Sequence, residues 1–472
     1  MLQTPLYKFQ TAGVRFLRDQ DGVGLLAEEV GLGKTIQSLY YAWRYLPKDP
    51  PGPIVVVVPA HLKLNWKREA QKHLGLRVEV LSGQRVPDGK RPPHDPNQIF
   101  VCNYDILSPP NWRARASLPA DSWAAWLISL QPRLIILDEA QMAKNSSAVR
   151  TRALRKICRA TPRRLALSGT PLTNSPRDLW SVLNLLRPDK YPSELEFCTE
   201  YTLARKRWWG WEFKGARRLD QLHAELQDIM IRRRKCDVLD QVPLLTHTVV
   251  PVEVDLREYR KAEKNFLAWV EKQSPGASLR AAKAEELSRM NSLKQLAGSL
   301  KTDMVLDWSN SLLEETQGKL LLGALHYDVT GPLMSRLGPR AVLVDGRMTS
   351  RQKDEAFTKF NLDPNCDVLL GNVQAAGTGW NCTATSDAAL CELPWRPGDV
   401  TQFAGRIYGL NRGLAGAGAH LRYLVASQTI EEDLCEVLQR KDGWARQAID
   451  GDDSAGDMDI HDQVLARMKE RN

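Results

Sequence analysis

The chain has 472 residues, 43% of them hydrophobic and 26% charged, and a net charge of +9. Such a composition fits two or three globular domains and excludes a chain that is disordered or collagen-like throughout. No apolar run approaches the ~18 residues a membrane span needs, and the opening MLQTPLYKFQ lacks the basic start and apolar core of a secretory signal.

Eight cysteines stand singly, at Cys102, Cys158, Cys198, Cys236, Cys366, Cys382, Cys391 and Cys435, with no CxxC pair. A zinc ribbon or disulfide framework is therefore not expected, and the thiols read as reduced, as in a cytoplasmic or nucleoid-associated protein. The basic excess permits a polyanionic partner without requiring one.

In chain order, short β-branched runs alternate with helical stretches, the pattern of a parallel α/β sheet. Ile54–Val58, between two prolines, reads as a strand buried on both faces, as do Ile99–Cys102, Leu134–Leu137 and Leu165–Leu167. Leu62–His73 and Ala148–Arg159 are predicted helices, and Val86–Asn97, with four prolines, a loop. The second half repeats the theme with strands at Leu320–Leu322, Ala341–Val344, Val368–Leu370, Ala388–Cys391 and Leu421–Val425. Between the halves, Leu256–Leu300 reads as a polar helical insertion or brace, broken near Ser274-Pro275-Gly276, rather than a third core. Six aspartates between Asp450 and Asp462 read as a solvated tail. Trp43, Trp180 and Trp308, in apolar company at helical spacing, are expected in the core.

Two segments carry chemistry. Leu25 to Thr35 ends an apolar run and opens a helix. Gly31 and Gly33 let backbone N–H groups wrap a phosphate chain, Lys34 supplies a point charge, and the Thr35 hydroxyl can ligate Mg²⁺. A strict phosphate loop would begin with glycine where this chain has Glu28. About a hundred residues on, Leu134–Leu137 runs into Asp138 and Glu139 at a strand's carboxyl end, where ligands of α/β sheets bind. Asp138 suits the coordination of Mg²⁺, and Glu139 suits deprotonating an attacking water. Alone, two such acids could equally cap a helix. Together, the segments predict a nucleoside triphosphate hydrolase that uses Mg²⁺.

A third segment is basic. From Tyr201 to Lys235 there are ten Lys and Arg against four acids, and Arg205-Lys206-Arg207 runs directly into Trp208, Trp209 and Trp211. Either the indoles stack on bases or wedge a duplex junction while the cations neutralise phosphates, or the segment is a hairpin or loop whose tryptophans pack on their own domain's surface. Both readings stand at this level.

The order and wording of these motifs resemble helicase superfamily two, and within it the Swi/Snf-type DNA translocases, in the style of its annealing helicases. Leu6 to Val14 is similar to the adenine-reading Q motif, with Gln10 the reader. Ala27–Thr35 is similar to motif I, which puts Glu29 among the nucleotide-binding residues. Val57-Val58-Pro59 through Trp66 is similar to motif Ia, implying DNA contacts at Lys63, Asn65 and Trp66, and Asn103-Tyr104-Asp105 resembles a segment touching a DNA strand through Tyr104. Asp138–Gln141 is a DEAQ form of motif II, Leu167–Pro171 resembles motif III, and Ile231–Lys235 the exit from the first lobe. Gly346, Lys353 and Phe360 fall on a second-lobe pattern that usually has arginine at the Lys353 position. Ala375–Asn381, with Gly377 and Gly379, resembles motif V, Gln402–Arg406 motif VI, and Thr429–Glu432 the closing helix.

The resemblance implies two tandem RecA-like lobes, residues 1–235 and 236–472. ATP would bind Gln10, Lys34 and Thr35, Glu139 would activate water, and Gly377, Gln402 and Arg406 would serve the phosphates from the second lobe. The implied partner is duplex or branched DNA, without a membrane, the motor being complete in one chain and expected to act as a monomer in a bacterial or phage-infected cell. The absence of added chromatin-reading or zinc modules reads as a minimal family member. Where motif VI usually carries a second arginine this chain has Gly409. Three accounts compete, in order of preference: Arg406 suffices, Arg412 moves in, or the ATPase is weak. Rival functions are an RNA polymerase-recycling ATPase and a DNA-binding clamp with attenuated hydrolysis.

Overall fold

A computed structural model describes residues 5–47, 49, 51–75, 77–87, 98–109, 112, 117–172, 175–208, 210–238, 245–271, 279–373, 382–408, 418–438, 464–465 and 467–469. The chain divides into two compact units between Val242 and Pro243, a few residues beyond the expected boundary at Lys235. The break near Ser274, most of the loop 86–97 and the aspartate-rich tail lie outside the described residues.

The first unit is built on Val23–Leu26 (β1), Ile54–Val58 (β2), Val78–Val80 (β3), Ile99–Asn103 (β4), Leu134–Asp138 (β5), Arg163–Leu167 (β6), the pair Leu203–Arg207 (β7) and Gly210–Lys214 (β8), and Met230–Ile231 (β9). Seven of these form one sheet in the order β3-β4-β2-β5-β6-β1-β9, every pairing parallel. Its strands are apolar at consecutive positions because both faces are covered. Leu25, Val55, Val57, Ile135 and Leu137 point into one core, while Leu26, Val56, Val58, Leu134 and Ile136 point into another across the sheet.

The second unit carries Leu245–Val252 (β10), Leu320–Ala324 (β11), Ala341–Val344 (β12), Val368–Asn372 (β13), Asp387–Leu390 (β14) and Ala419–Ala426 (β15), ordered β10-β15-β14-β11-β13-β12 and again all parallel. It too is two-faced, with Leu321, Leu369 and Leu421 on one side and Leu322, Leu370 and Leu424 on the other. β10 escaped the sequence reading because His247, Thr248 and Pro251 break the apolar pattern. It lies at the sheet edge, where a proline is tolerated.

The helical segment is no separate brace. From Leu256–Glu271 and Leu279–Leu300, the side chains of Tyr259, Phe266, Met290, Leu293 and Ala297 complete the second unit's own core. Of the three tryptophans expected inside, only Trp180 is buried; Trp43 is exposed against Tyr40, and Trp308 is half-buried with Arg422 over its ring.

An ion pair with no exposed surface joins the helical segment to the sheet. The Lys301 ammonium meets the Glu431 carboxylate and donates to the Leu424 carbonyl, and Glu431 accepts the Ala426 N–H at 2.9 Å. Removing one partner of such a pair strands a charge in the interior. Lys301→Met is expected to destabilise the second unit by about 3–5 kcal/mol in a urea melt, and adding Glu431→Gln should restore most of that loss.

Candidate active site

β1 delivers the phosphate loop. The chain leaves this buried strand at Ala27 and turns through Gly31 and Gly33, whose φ angles of +93° and +81° suit glycine. Gly33 starts the helix Lys34–Arg44, and a Cβ there would lie 2.4 Å from Gln10 Nε2. Among the described residues no side chain caps this helix, so its first-turn amides remain for an anion. The Lys34 ammonium donates to the Glu28 and Glu29 carbonyls at 2.8 and 3.3 Å. Burial pulls its pKa below the usual value against the nearby Glu139, Glu28 and Asp138. Thr35 sits half-buried in the same first turn.

Gln10 ties the N-terminal helix to this loop, donating to the Leu32 carbonyl at 3.1 Å and accepting the Tyr7 N–H at 3.0 Å. Glu29, expected among the nucleotide ligands, gives its carboxylate to Lys235, accepting that residue's N–H at 2.8 Å with the ammonium 3.6 Å away.

The loop rests on a buried polar cluster that sequence reasoning missed. Glu28, where a strict phosphate loop has glycine, is fully buried and pairs with Arg233 and with Gln37 Nε2 at 2.5 Å. Arg233 also donates to the Phe9 carbonyl, and Arg232 donates to the Ala27 and Gly169 carbonyls at 2.7 and 3.3 Å. Gly13 makes room, since a Cβ there would lie 1.9 Å from Gln37 Oε1 and 2.6 Å from Arg233. The available signal was the conjunction of an acid at position 28 with paired arginines at 232 and 233.

β5 delivers the carboxylates. β6 lies between β5 and β1, with Leu167 beside Asp138 on one edge and Leu26 on the other. Loop and acids thus emerge from the carboxyl ends of strands separated by a single neighbour. Asp138 is buried, accepting Trp66 Nε1–H at 2.7 Å on one oxygen and the Glu139 N–H at 2.9 Å on the other. Burial and the neighbouring Glu139 push its pKa from 3.8 up to about 6. Glu139 sits at φ +50°, in the left-handed region that costs a non-glycine residue roughly 1–2 kcal/mol.

From there a hydrogen-bond chain crosses to the next strand. Gln141 Nε2 donates to Glu139 at 2.5 Å, the Ser168 hydroxyl donates to Gln141 Oε1 at 2.8 Å, and Ser168 accepts the Thr170 N–H at 3.1 Å.

Two nucleic-acid assignments are corrected. Trp66 and Tyr104 are each 1% exposed, and both turn inward to Asp138: the indole to its carboxylate, the phenol to its carbonyl at 2.9 Å. They position the acid and offer no surface to a strand of DNA. Lys63 is half-buried, donating to the Leu81 carbonyl at 3.2 Å, and Asn65 is half-buried beside it.

The basic segment forms the antiparallel hairpin β7–β8 with Arg205, Lys206, Arg207, Trp208 and Trp211 exposed. In the second unit, Gln402 lies on the helix Pro397–Ala404, and its carbonyl accepts Arg406 Nε at 3.3 Å. Lys353 and Phe360 are buried. Trp209, Gly377, Gly379, Gly409 and Arg412 lie outside the described residues.

The first unit's residues fit a magnesium nucleotide: a positive-φ glycine cradle, an uncapped helix start, a partly buried lysine and a carboxylate whose charge burial opposes. Asp138 favours its neutral form in the folded chain, so its contribution to stability is complete below pH 3.8 and lost as pH rises through about 6. Asp138→Asn is permanently neutral and keeps an acceptor for Trp66. Because its amide can accept only one of the two hydrogen bonds, the signature is the pH dependence: the stability of the variant relative to the natural protein is expected to rise by about 2–3 kcal/mol between pH 4 and pH 8, half of it by about pH 5, read from denaturant melts across that range.

The SNF2-related domain matches residues 9–304, and the helicase conserved C-terminal domain matches residues 310–409. The mouse DNA annealing helicase and endonuclease ZRANB3 is 28% identical over 451 residues, 93% of this chain and 40% of that protein. The SWI/SNF-related matrix-associated actin-dependent regulator of chromatin subfamily A-like protein 1 of Xenopus tropicalis is 27% identical, with 93% and 44% covered. An ATP-dependent helicase of Mycoplasma genitalium, MG018, is 25% identical, with 94% and 42% covered. The chain thus spans well under half the length of these relatives. Among solved structures, the Sulfolobus solfataricus SWI2/SNF2 ATPase core in complex with dsDNA aligns over 100% of this chain and 97% of its own at 21% identity and a TM-score of 0.44. With its motifs in order and a family match across more than half its length, the chain belongs to the SNF2-related family of helicase superfamily two.

Proposed function

We propose that this protein is a DNA-dependent ATPase that turns hydrolysis into movement along duplex or branched DNA, remodelling forks or annealing strands. The observation that carries the reading is the convergence of Lys34, Asp138 and Glu139 at the ends of strands separated by one neighbour, with Gln141 and Ser168 linking the acid to that intervening strand. Lys34 and the amides at the start of its helix hold the phosphates, while Thr35 and Asp138 hold Mg²⁺. The bound cation would neutralise charge on the phosphoryl oxygens. Glu139 orients and deprotonates the water.

Glu139's orientation depends on Gln141, and Gln141's on Ser168, so a shift of the 168–170 segment alters how well water is activated. That gives DNA contact a route to the chemistry.

Gly377, Gly379, Gln402 and Arg406 are assigned to phosphate handling from the second unit. Lys63, Asn65 and the basic hairpin are assigned to DNA. One chain carries every motif, so the working unit in this reading is a monomer on the DNA of a bacterial or phage-infected cell. Among the described residues no helix is long and apolar enough to cross a membrane.

The test is the ATPase rate with single-stranded, duplex, forked and four-way DNA. Lys34→Ala should abolish DNA-stimulated turnover, and Glu139→Gln should lower it roughly 10²–10⁴-fold with nucleotide binding retained. A rate that no DNA raises overturns the reading. For the second unit, Arg406→Ala should cost roughly 10³–10⁵ in turnover, while Gly409→Arg changes it less than about tenfold. A larger rise with Gly409→Arg would mean that the natural site is attenuated.

A further inference from the structure

The β7–β8 hairpin takes no part in the nucleotide site. Its register pairs Leu203 with Lys214, Ala204 with Phe213, Arg205 with Glu212, Lys206 with Trp211 and Arg207 with Gly210. Cross-strand partners share a face. One face therefore carries Arg205, Arg207 and Glu212, and the other Lys206, Trp211 and Phe213.

The aromatic face is anchored at its base. Arg177, on the helix Pro176–Leu186, lies 5.2 Å from the Phe213 ring centre, and Trp211 stacks parallel to Phe213 at 6.4 Å and 3°. From that anchor five residues per strand carry the tip about 16 Å outward. At the tip stands Trp208, 97% exposed.

A free indole here serves no fold. Among the described residues it belongs to no hydrophobic cluster, and the hairpin is held by its ladder and by the Arg177–Phe213–Trp211 stack. The strand that leads to it is cationic: Arg205 and Lys206 are exposed and form no ion pair among the described residues, and Arg207 pairs with Glu212 of the facing strand at 3.1 Å. An exposed aromatic plane at the end of a strand with two unpaired cations, one on each face, matches a polyanion carrying flat apolar groups. Within a duplex those groups are stacked and closed. An open base face exists only where strands part or end.

We infer that the hairpin Leu203–Lys214 reads the branch point of DNA, Trp208 stacking on an unpaired base while Arg205 and Lys206 hold the flanking phosphates. The inference rests on the motor reading above and names the DNA feature that this motor engages.

The experiment uses the full chain with a covalently closed circular duplex, which has no end, and with a fork bearing single-stranded arms. Trp208→Ala should weaken fork binding about tenfold more than closed-duplex binding, as expected for the loss of one base stack. Trp208→Phe should recover part of the loss, and Arg205→Ala should lower the salt dependence of fork binding by about one phosphate contact. Equal weakening on both DNAs, or none on either, overturns the inference, and the second outcome leaves a protein as the tip's partner. An unchanged melting temperature separates these outcomes from misfolding. Absence of any DNA-stimulated ATPase in the unsubstituted protein would instead count against the motor reading, which the fork-binding comparison does not depend on.

Discussion

Glu28 has no exposed surface, and a carboxylate in that position must be matched or the loop around it will not hold. Its two partners come from different parts of the first unit. Gln37 reaches it from the helix after the loop, Arg233 from beyond β9, and Arg233 in turn binds the Phe9 carbonyl of the N-terminal helix. One buried charge thereby fixes the phosphate loop to its own helix, to the segment that carries Gln10, and to the strand by which the chain leaves the unit. Gly13 and the Gln10–Leu32 hydrogen bond accord with it, since the cluster needs space on one side and a tether on the other. The same constraint accounts for the departure at position 28. With glycine there the loop would have no anchor for Arg233, and that guanidinium would itself lie half-buried without its charge partner.

The second constraint is a charge that is opposed rather than matched. Asp138 accepts two hydrogen bonds, yet burial beside Glu139 still raises its pKa to about 6. A divalent cation bound there would resolve this conflict by supplying the missing positive charge. Glu139, one residue on, is held in a left-handed backbone conformation and oriented by Gln141. The strained conformation lets two consecutive acids diverge, one turned into the protein towards Trp66 and the other into the Gln141–Ser168 chain. Their opposite surroundings separate their tasks, the buried one suited to a metal and the other to a water.

Much of this was legible in the sequence because it rests on local rules. Apolar β-branched runs between prolines gave β2, and the acids after Leu134–Leu137 landed at the end of β5, as a two-sided sheet requires. The phosphate loop was legible because glycine spacing encodes backbone shape directly. What escaped was set by long-range contact. β10 has an edge strand's mixed polarity, and its membership depends on β15, more than 160 residues later. The helical segment looked polar because only one residue in several faces the core of the second unit. Arg232 and Arg233 were visible as a motif, but nothing nearby in sequence says that they close on Glu28 and Ala27.

The tryptophans show most clearly where residue type stops being informative. Trp66 and Trp208 both stood near lysines in segments assigned to DNA. One proves to be interior, its N–H given to Asp138, and the other stands at the end of a hairpin with almost its whole surface in solvent. The difference lies in the neighbours of each residue along the chain. Trp66 is on the inward side of a helix packed against β3 and β4, where Ala70 and His73 continue the buried stripe. Trp208 ends a strand whose last three preceding residues are charged and exposed, so no apolar stripe exists for it to join. An indole on a stripe is drawn into the core by burial of its large apolar area. An indole at the end of a cationic strand has no such destination within the fold, and its apolar face is left for something outside it.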